Sequence, residues 1–477
     1  MKIDKKRVCI IGGAVLLLVL IIVLAASCQS PAAKQLSSEE AIRLYNQAAD
    51  FTDENFSLRI SQNKTIIIQG NTFNQQTEQV ITYEAYGTSD MRSTSEQTLS
   101  MGDHTVAISQ TYADGIVYMD VADSLFFGPL NGEAYLTQQA PAVLLNPDLY
   151  ETVAGVKTGK TADIIFSQAT DPETWVNAAI TELVCAEGSA DISDSGQLEK
   201  SFYQVAYWIE DVYIRLSTEV EIVYEPQSTV TLPEDPSLYT HITYVNAPQI
   251  LEVACGYLLS ADAITSAYTN SIFCQAFGDR RDQTVSIHTV SQPQWSAQLD
   301  TAITLSNSSK SGTTSTLSQT ECFAGNTYTI ATNGAKPVPN NEISEDAMRK
   351  YCRDLLIGTI MLPQYITDVS ISETETVYQI TFSASEDFAG LLRNEACTTL
   401  YQNPDILAQQ MQSYETDIMM CYLTIDKHTG FPLASGFHYG GTYTIDALPY
   451  LLEFQADQTY TLPDPPIETD TNNEAGA

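Results

Sequence analysis

Between Val212 and Ile222 the chain alternates. The even positions are mostly apolar, while Arg215, Ser217, Glu219 and Glu221 point the other way. Period two over this length predicts a strand with one buried and one wet face. Tyr422–Leu433 reads as strand, turn and strand, with Asp426 opening the turn and Gly430 free to take a positive φ at its end. Ala113-Asp114-Gly115 carries a second hairpin signal. Helical spacing is rarer. Ser37 and Glu40 form a capping box ahead of Ile42, Tyr45 and Ala49, which share one face. Ser344 caps a second helix with Glu345 and Asp346 at its positive end, running through Met348, Tyr351 and Leu355 to Met361-Leu362, where Pro363 stops it. Ala140–Leu145 holds the matching place earlier in the chain.

Short segments recur in chain order at offsets of about 210 to 230 residues. Ser38–Ile42 resembles Ser260–Ile264, and Ser109-Gln110-Thr111 before Tyr118 resembles Ser318-Gln319-Thr320 before Tyr328. Ile164–Ser167 resembles Ile380–Ser383, and Thr229–Pro236 resembles Thr459–Pro465. The order implies a duplicated β-rich domain, with its boundary near Ala247–Gly256. Composition agrees: 44% of residues are hydrophobic, only 17% are charged, and 26 are Tyr, which suits half-buried strands better than charged helices.

The first residues carry a different pattern. Lys2, Lys5, Lys6 and Arg7 precede the uncharged apolar run Val8–Ala26, which ends in Ala25-Ala26-Ser27-Cys28. A basic start, an apolar stretch and small residues at a cut site make a secretory signal. Cys28 directly after them resembles the lipobox of bacterial lipoproteins, which implies acylation of that cysteine, although Ala25 stands where Leu is commonest. The run is also long enough, at about 1.5 Å per residue, to nearly span a bilayer core of roughly 30 Å as an uncleaved anchor. Either way, residues 29–477 lie on the extracytoplasmic face of the cell membrane. Residues 28–36 read as a tether, and the Pro-rich acidic tail 466–477 reads as disordered.

The net charge of −37 argues against nucleic-acid partners and against charge-driven contact with anionic lipid. Nine Cys are present, six of them from Cys255 onward, with no C-x-x-C. Export permits disulfides, but spacing alone does not pair them.

No catalytic spacing stands out. Gly-x-Ser-x-Gly, His-Glu-x-x-His and the P-loop are absent. Ser61-x-x-Lys64 runs into Thr65–Ile68, a strand where a penicillin-binding motif needs a helix. The five His are dispersed, and Asp191–Glu199 has the wrong spacing for an EF-hand. We therefore expect a non-enzymatic protein with no cofactor or metal. The best ligand candidates are Leu355, Leu356, Ile360 and Met361, where an apolar helix beside a curved sheet could leave a cavity. Two alternatives stand: an exported hydrolase with an unrecognised carboxylate pair, and a surface adhesion or scaffold module.

The hairpin Ile425–Pro432 (Ile-Asp-x-x-Thr-Gly-x-Pro), the Thr-Leu-Pro segments at 231–233 and 461–463, the opening helix and the cysteine tether together resemble LolA-like lipoproteins. The resemblance implies an α+β fold: two tandem curved antiparallel sheets, incomplete barrels with packed helices, at 37–245 and 256–465. It implies binding of a hydrophobic ligand, either a lipid or a lipoprotein, or of a cell-envelope protein, and, by the same likeness alone, a Gram-positive membrane.

Overall fold

The computed structural model describes residues 33–463, apart from 53, 131–144, 170–179, 225–228, 244–245, 277, 292–293, 308–312, 340–342, 361, 401–413 and 446–447. The signal, Cys28, the acidic tail, Met361 and most of Ala140–Leu145 lie outside the described residues.

The chain is mostly β, in two large open sheets with few helices. The first sheet is built from β1 (Ala33–Leu36), β2 (Phe56–Ile68), β3 (Asn71–Glu84), β4 (Arg92–Met101), β5 (His104–Ala113), β6 (Ile116–Val121) and β7 (Ser124–Pro129). It continues with β8 (Tyr150–Thr158), β9 (Thr161–Ala169), β10 (Glu182–Ile192), β11 (Leu198–Ile209), β12 (Val212–Tyr224) and β13 (Thr240–His241). The second holds β14 (Ala263–Cys274), β15 (Asp279–Val290), β16 (Ser296–Asn307), β17 (Thr313–Ala324), β18 (Thr327–Thr332) and β19 (Val338–Pro339). After these come β20 (Ile366–Glu373), β21 (Val377–Ala384), β22 (Tyr414–Asp426), β23 (Pro432–Ile445) and β24 (Leu448–Thr461).

Both sheets follow one strand order. In the first, β12 closes onto β2, with β3 to β7 stepping outward on one side and β11 to β8 on the other. In the second, β24 closes onto β14, flanked by β15 to β18 and by β23 to β20. Neighbours are antiparallel except for β13, which runs parallel to β7. Alternation puts Ile214, Val220 and Ile222 of β12 in the core and leaves Arg215, Glu219 and Glu221 in water.

Of the four recurring segments, two fall on matching strands: Ser109–Thr111 on β5 with Ser318–Thr320 on β17, and Ile164–Ser167 on β9 with Ile380–Ser383 on β21. The other two do not. Ser38 opens a helix, whereas Ser260 ends one and Ala263 starts β14. Thr459–Thr461 lies in β24, but Thr231-Leu232-Pro233 lies beyond the end of β12. Strand pairing decides these cases: Thr265 and Ser266 are bonded into ladders with both β15 and β24.

Helix α1 (Ser38–Ala48) starts at the expected capping box: the Ser37 amide donates to Glu40 Oε2 at 3.1 Å, and the Glu40 amide donates to Ser37 Oγ at 3.2 Å. Ala41, Tyr45 and Ala48 face the core, and the Tyr45 ring meets Phe166 edge-on at 5.3 Å. The last residues of the expected tether form β1, because β8 offers an unpaired edge and Leu36 registers with Gly155.

Helix α2 (Ala247–Ser260) occupies the stretch read as a boundary. Glu252 is its one charged residue, and a helix apolar nearly all round belongs in an interior. It packs on β4 and β5 of the first sheet and on β23 of the second. Gly256 permits the approach: a Cβ there would sit 2.7 Å from Met101 Sδ. Helices α3 (Glu345–Ile357) and α4 (Glu386–Leu400) pack on the second sheet.

Candidate functional site

Ser344 caps α3 as expected, accepting from the Ala347 amide at 3.2 Å, but the helix ends at Ile357 and not at Leu362. Side chains of β24 take its last carbonyls. Gln458 Nε2 donates to Leu355 O and Tyr460 Oη to Leu356 O, both at 3.0 Å. These carbonyls would otherwise accept from the amides of Thr359 and Ile360. Ser435 Oγ lies 2.8 Å from Tyr460 Oη, Thr359 Oγ1 donates to Gln458 Oε1 at 2.8 Å, and Gln458 Nε2 also donates to Ser266 Oγ at 2.8 Å. Of the four expected ligand residues, Leu356 and Ile360 are buried, Leu355 is half-buried against the core, and Met361 is outside the described residues. A cavity of about 260 Å³ beside Ile357, Ile360, Phe388 and Phe437 is what remains there.

A larger apolar space opens where the two sheets meet. It measures about 610 Å³, within the usual range for small-molecule sites. Helix α2 contributes Ile250 and Val253, the first sheet Leu99 and Ile108, and the second sheet Ile371, Tyr378 and Ile380. Gln75 and Gln97 of the first sheet and Asn246 and Gln249 at the start of α2 also line it, and the β22–β23 hairpin adds Ile425, Asp426, Lys427 and Gly430. Asp426 Oδ1 accepts from the His428 amide at 3.0 Å and from the Thr429 amide and hydroxyl at 2.8 Å each, and Gly430 takes φ +78°. The turn expected from sequence thus forms, and it also joins the sheets. Phe431, just past it, sits 5.9 Å from the Phe73 ring of β3. Phe73 meets Tyr257 of α2 edge-on at 5.9 Å, and Tyr257 Oη donates to Gln75 Oε1 at 2.9 Å. Asn71 Oδ1 accepts from the Ala263 amide at 3.2 Å, and Thr243 bonds Asp368 across the β13 and β20 edges.

Among the described residues, three charged side chains line this cleft: Glu373, Asp426 and Lys427. Lys427 pairs with Glu373, and its ammonium lies 5.4 Å from the centre of the Tyr378 ring. The sequence displayed Lys427 only as a turn residue. The nearly all-apolar α2 was the local signal that an interior lay between the sheets.

A further concavity, about 920 Å³, is a trough on the solvated face of the first sheet. Its charges largely answer one another or meet water. Arg59 pairs with Glu221 at 3.4 Å, and Ser61 Oγ donates to Glu78 at 2.7 Å. Asp120 is raised by burial and by Asp123, yet it accepts the Asp123 amide, the geometry of a turn. At its end Glu252 is raised by burial, His104 is lowered by burial and by Arg353, and their side chains are 3.9 Å apart.

Ser61 and Lys64 both lie on β2, three residues apart and so on opposite faces, which removes the Ser-x-x-Lys arrangement. Burial lowers the Lys64 amine to about 8. Among the described residues, Cys185, Cys255, Cys274, Cys322, Cys352 and Cys421 are free thiols, and no cluster of three metal-ligating side chains occurs. Burial pushes Cys255, Cys352 and Cys421 up to about 12, which keeps them protonated and poor nucleophiles. Among the described residues no helix is long and apolar enough to cross a membrane.

No protein-family profile matches the chain, and no curated protein matches it. Among solved structures, LprF from Mycobacterium bovis is 10% identical with a TM-score of 0.23, covering 43% of this chain and 99% of its own. OccK5 (OpdH) from Pseudomonas aeruginosa is 6% identical with a TM-score of 0.11, covering 86% and 99%. A putative AttH from Nitrosomonas europaea is 8% identical with a TM-score of 0.12, covering 85% and 93%. Scores this low carry no argument about fold or function, which rest on the chain's own residues.

Proposed function

We propose that this chain is a non-enzymatic extracytoplasmic lipoprotein, anchored through an acylated Cys28, that holds a hydrophobic ligand between two LolA-like sheets arisen by duplication. The anchor is supported by the basic start, the apolar run and the small residues before Cys28. The duplication is supported by the shared strand order. Ligand binding rests on one observation, the cleft of about 610 Å³ walled by aliphatic side chains of both sheets and of α2. A concave cleft of this size, with aliphatic walls and a few placed polar groups, has the usual form of a small-molecule site.

The test is mass spectrometry on the full chain extracted from membranes. Its intact mass reports whether Cys28 carries a diacylglyceryl group, and organic extraction reports any co-purifying lipid. An N-terminus at Met1 would replace the lipid anchor with a spanning one. An extract free of lipid, together with no uptake of added lipid, would reject the ligand reading.

A further inference from the structure

Lys427, the one cation lining the cleft among the described residues, is set deeper than its partner. The Lys427 side chain is 18% exposed, against 53% for Glu373. Asp426 turns Oδ1 to three donors within the turn, and the ammonium pairs with Glu373 instead. The Lys427 backbone is held as well, its amide donating to Thr376 O at 2.9 Å. The Tyr378 ring, 5.4 Å from the ammonium, gives the cation a contact independent of any carboxylate. Glu373, half in water at the end of β20, is therefore the exchangeable member.

We propose that the cleft takes a single-tailed amphiphile with an anionic head, which replaces Glu373 on Lys427 while its tail lies along Ile250, Val253, Leu99 and Ile108. This rests on the reading of the cleft as the ligand site. The exchange swaps one carboxylate for another anion, so burial of the tail supplies the affinity and Lys427 supplies the selection. Carboxylate and phosphate heads share this chemistry.

Native mass spectrometry of the full chain, released from neutral detergent, measures binding of dodecanoate, dodecyl phosphate and methyl dodecanoate. The two anions should bind more tightly than the ester. Lys427→Gln should weaken them about tenfold, the loss of one charge-assisted contact, and leave the ester unchanged. Glu373→Gln, which frees the cation at a half-exposed position, should strengthen them several-fold. A preference between carboxylate and phosphate would name the head. If all three probes bind alike and neither variant moves them, head selection is wrong while the cleft stands. If no probe binds, both readings fall.

Discussion

The ring of Phe431 lies 5.9 Å from the ring of Phe73, and through this contact the β22–β23 hairpin of the second sheet reaches β3 of the first. Both side chains are buried, at 5% and 3% exposure, and Tyr257 of α2 stands against the same Phe73. The hairpin is thus a wall of the cleft and a clasp between the sheets.

Phe431→Ala should cost about 3–5 kcal/mol of stability in denaturant unfolding, the usual range for emptying a buried aromatic site. Gly430→Ala should cost about 1 kcal/mol, since φ is +78° and the new Cβ would lie 3.2 Å from the Tyr257 ring. Unchanged midpoints for both variants would contradict a clasp.

Lys64 should make stability depend on pH. Burial lowers its amine from the ordinary 10.5 to about 8. Between those values the unfolded chain holds the proton and the folded chain does not, so this contribution rises with pH from about 8 to about 10.5. The buried thiols work the other way above pH 9, because the unfolded chain releases their protons first. The informative quantity is therefore the difference from Lys64→Met. The variant should be more stable by about 1–3 kcal/mol at pH 7, with the gap narrowing towards pH 10. A gap that stays constant with pH would reject a desolvated amine.

Tyr460→Phe should cost about 1–3 kcal/mol, because it leaves Leu356 O buried without its donor. Gln458→Leu should cost more, since it removes one partner each from Leu355 O, Ser266 Oγ and Thr359 Oγ1. Chemical denaturation measures both. A neutral Gln458→Leu would mean that α3 is not held by β24.

The elements legible in the sequence are those made by bonds between near neighbours. The Ser37–Glu40 box closes over three residues, the Asp426 turn closes over four, and Asp114-Gly115 turns β5 into β6 with both residues at positive φ. The expected end of α3 failed because its decisive partners, Gln458 and Tyr460, lie about a hundred residues away. The apolar side chains of Leu356 and Ile360 face an interior as expected, and a cavity of about 260 Å³ stands beside Ile360.

By itself the sequence determined the alternation that makes sheets, the turns that join the strands and the caps that start the helices, because each is a local balance of hydrogen bonding and burial. Only the tertiary structure decided where an apolar space remains open. That space exists because α2 and the β22–β23 hairpin hold Leu99, Ile250, Ile371 and Lys427 around one volume. Such a gap is left between packed surfaces, and no periodicity along the chain records it.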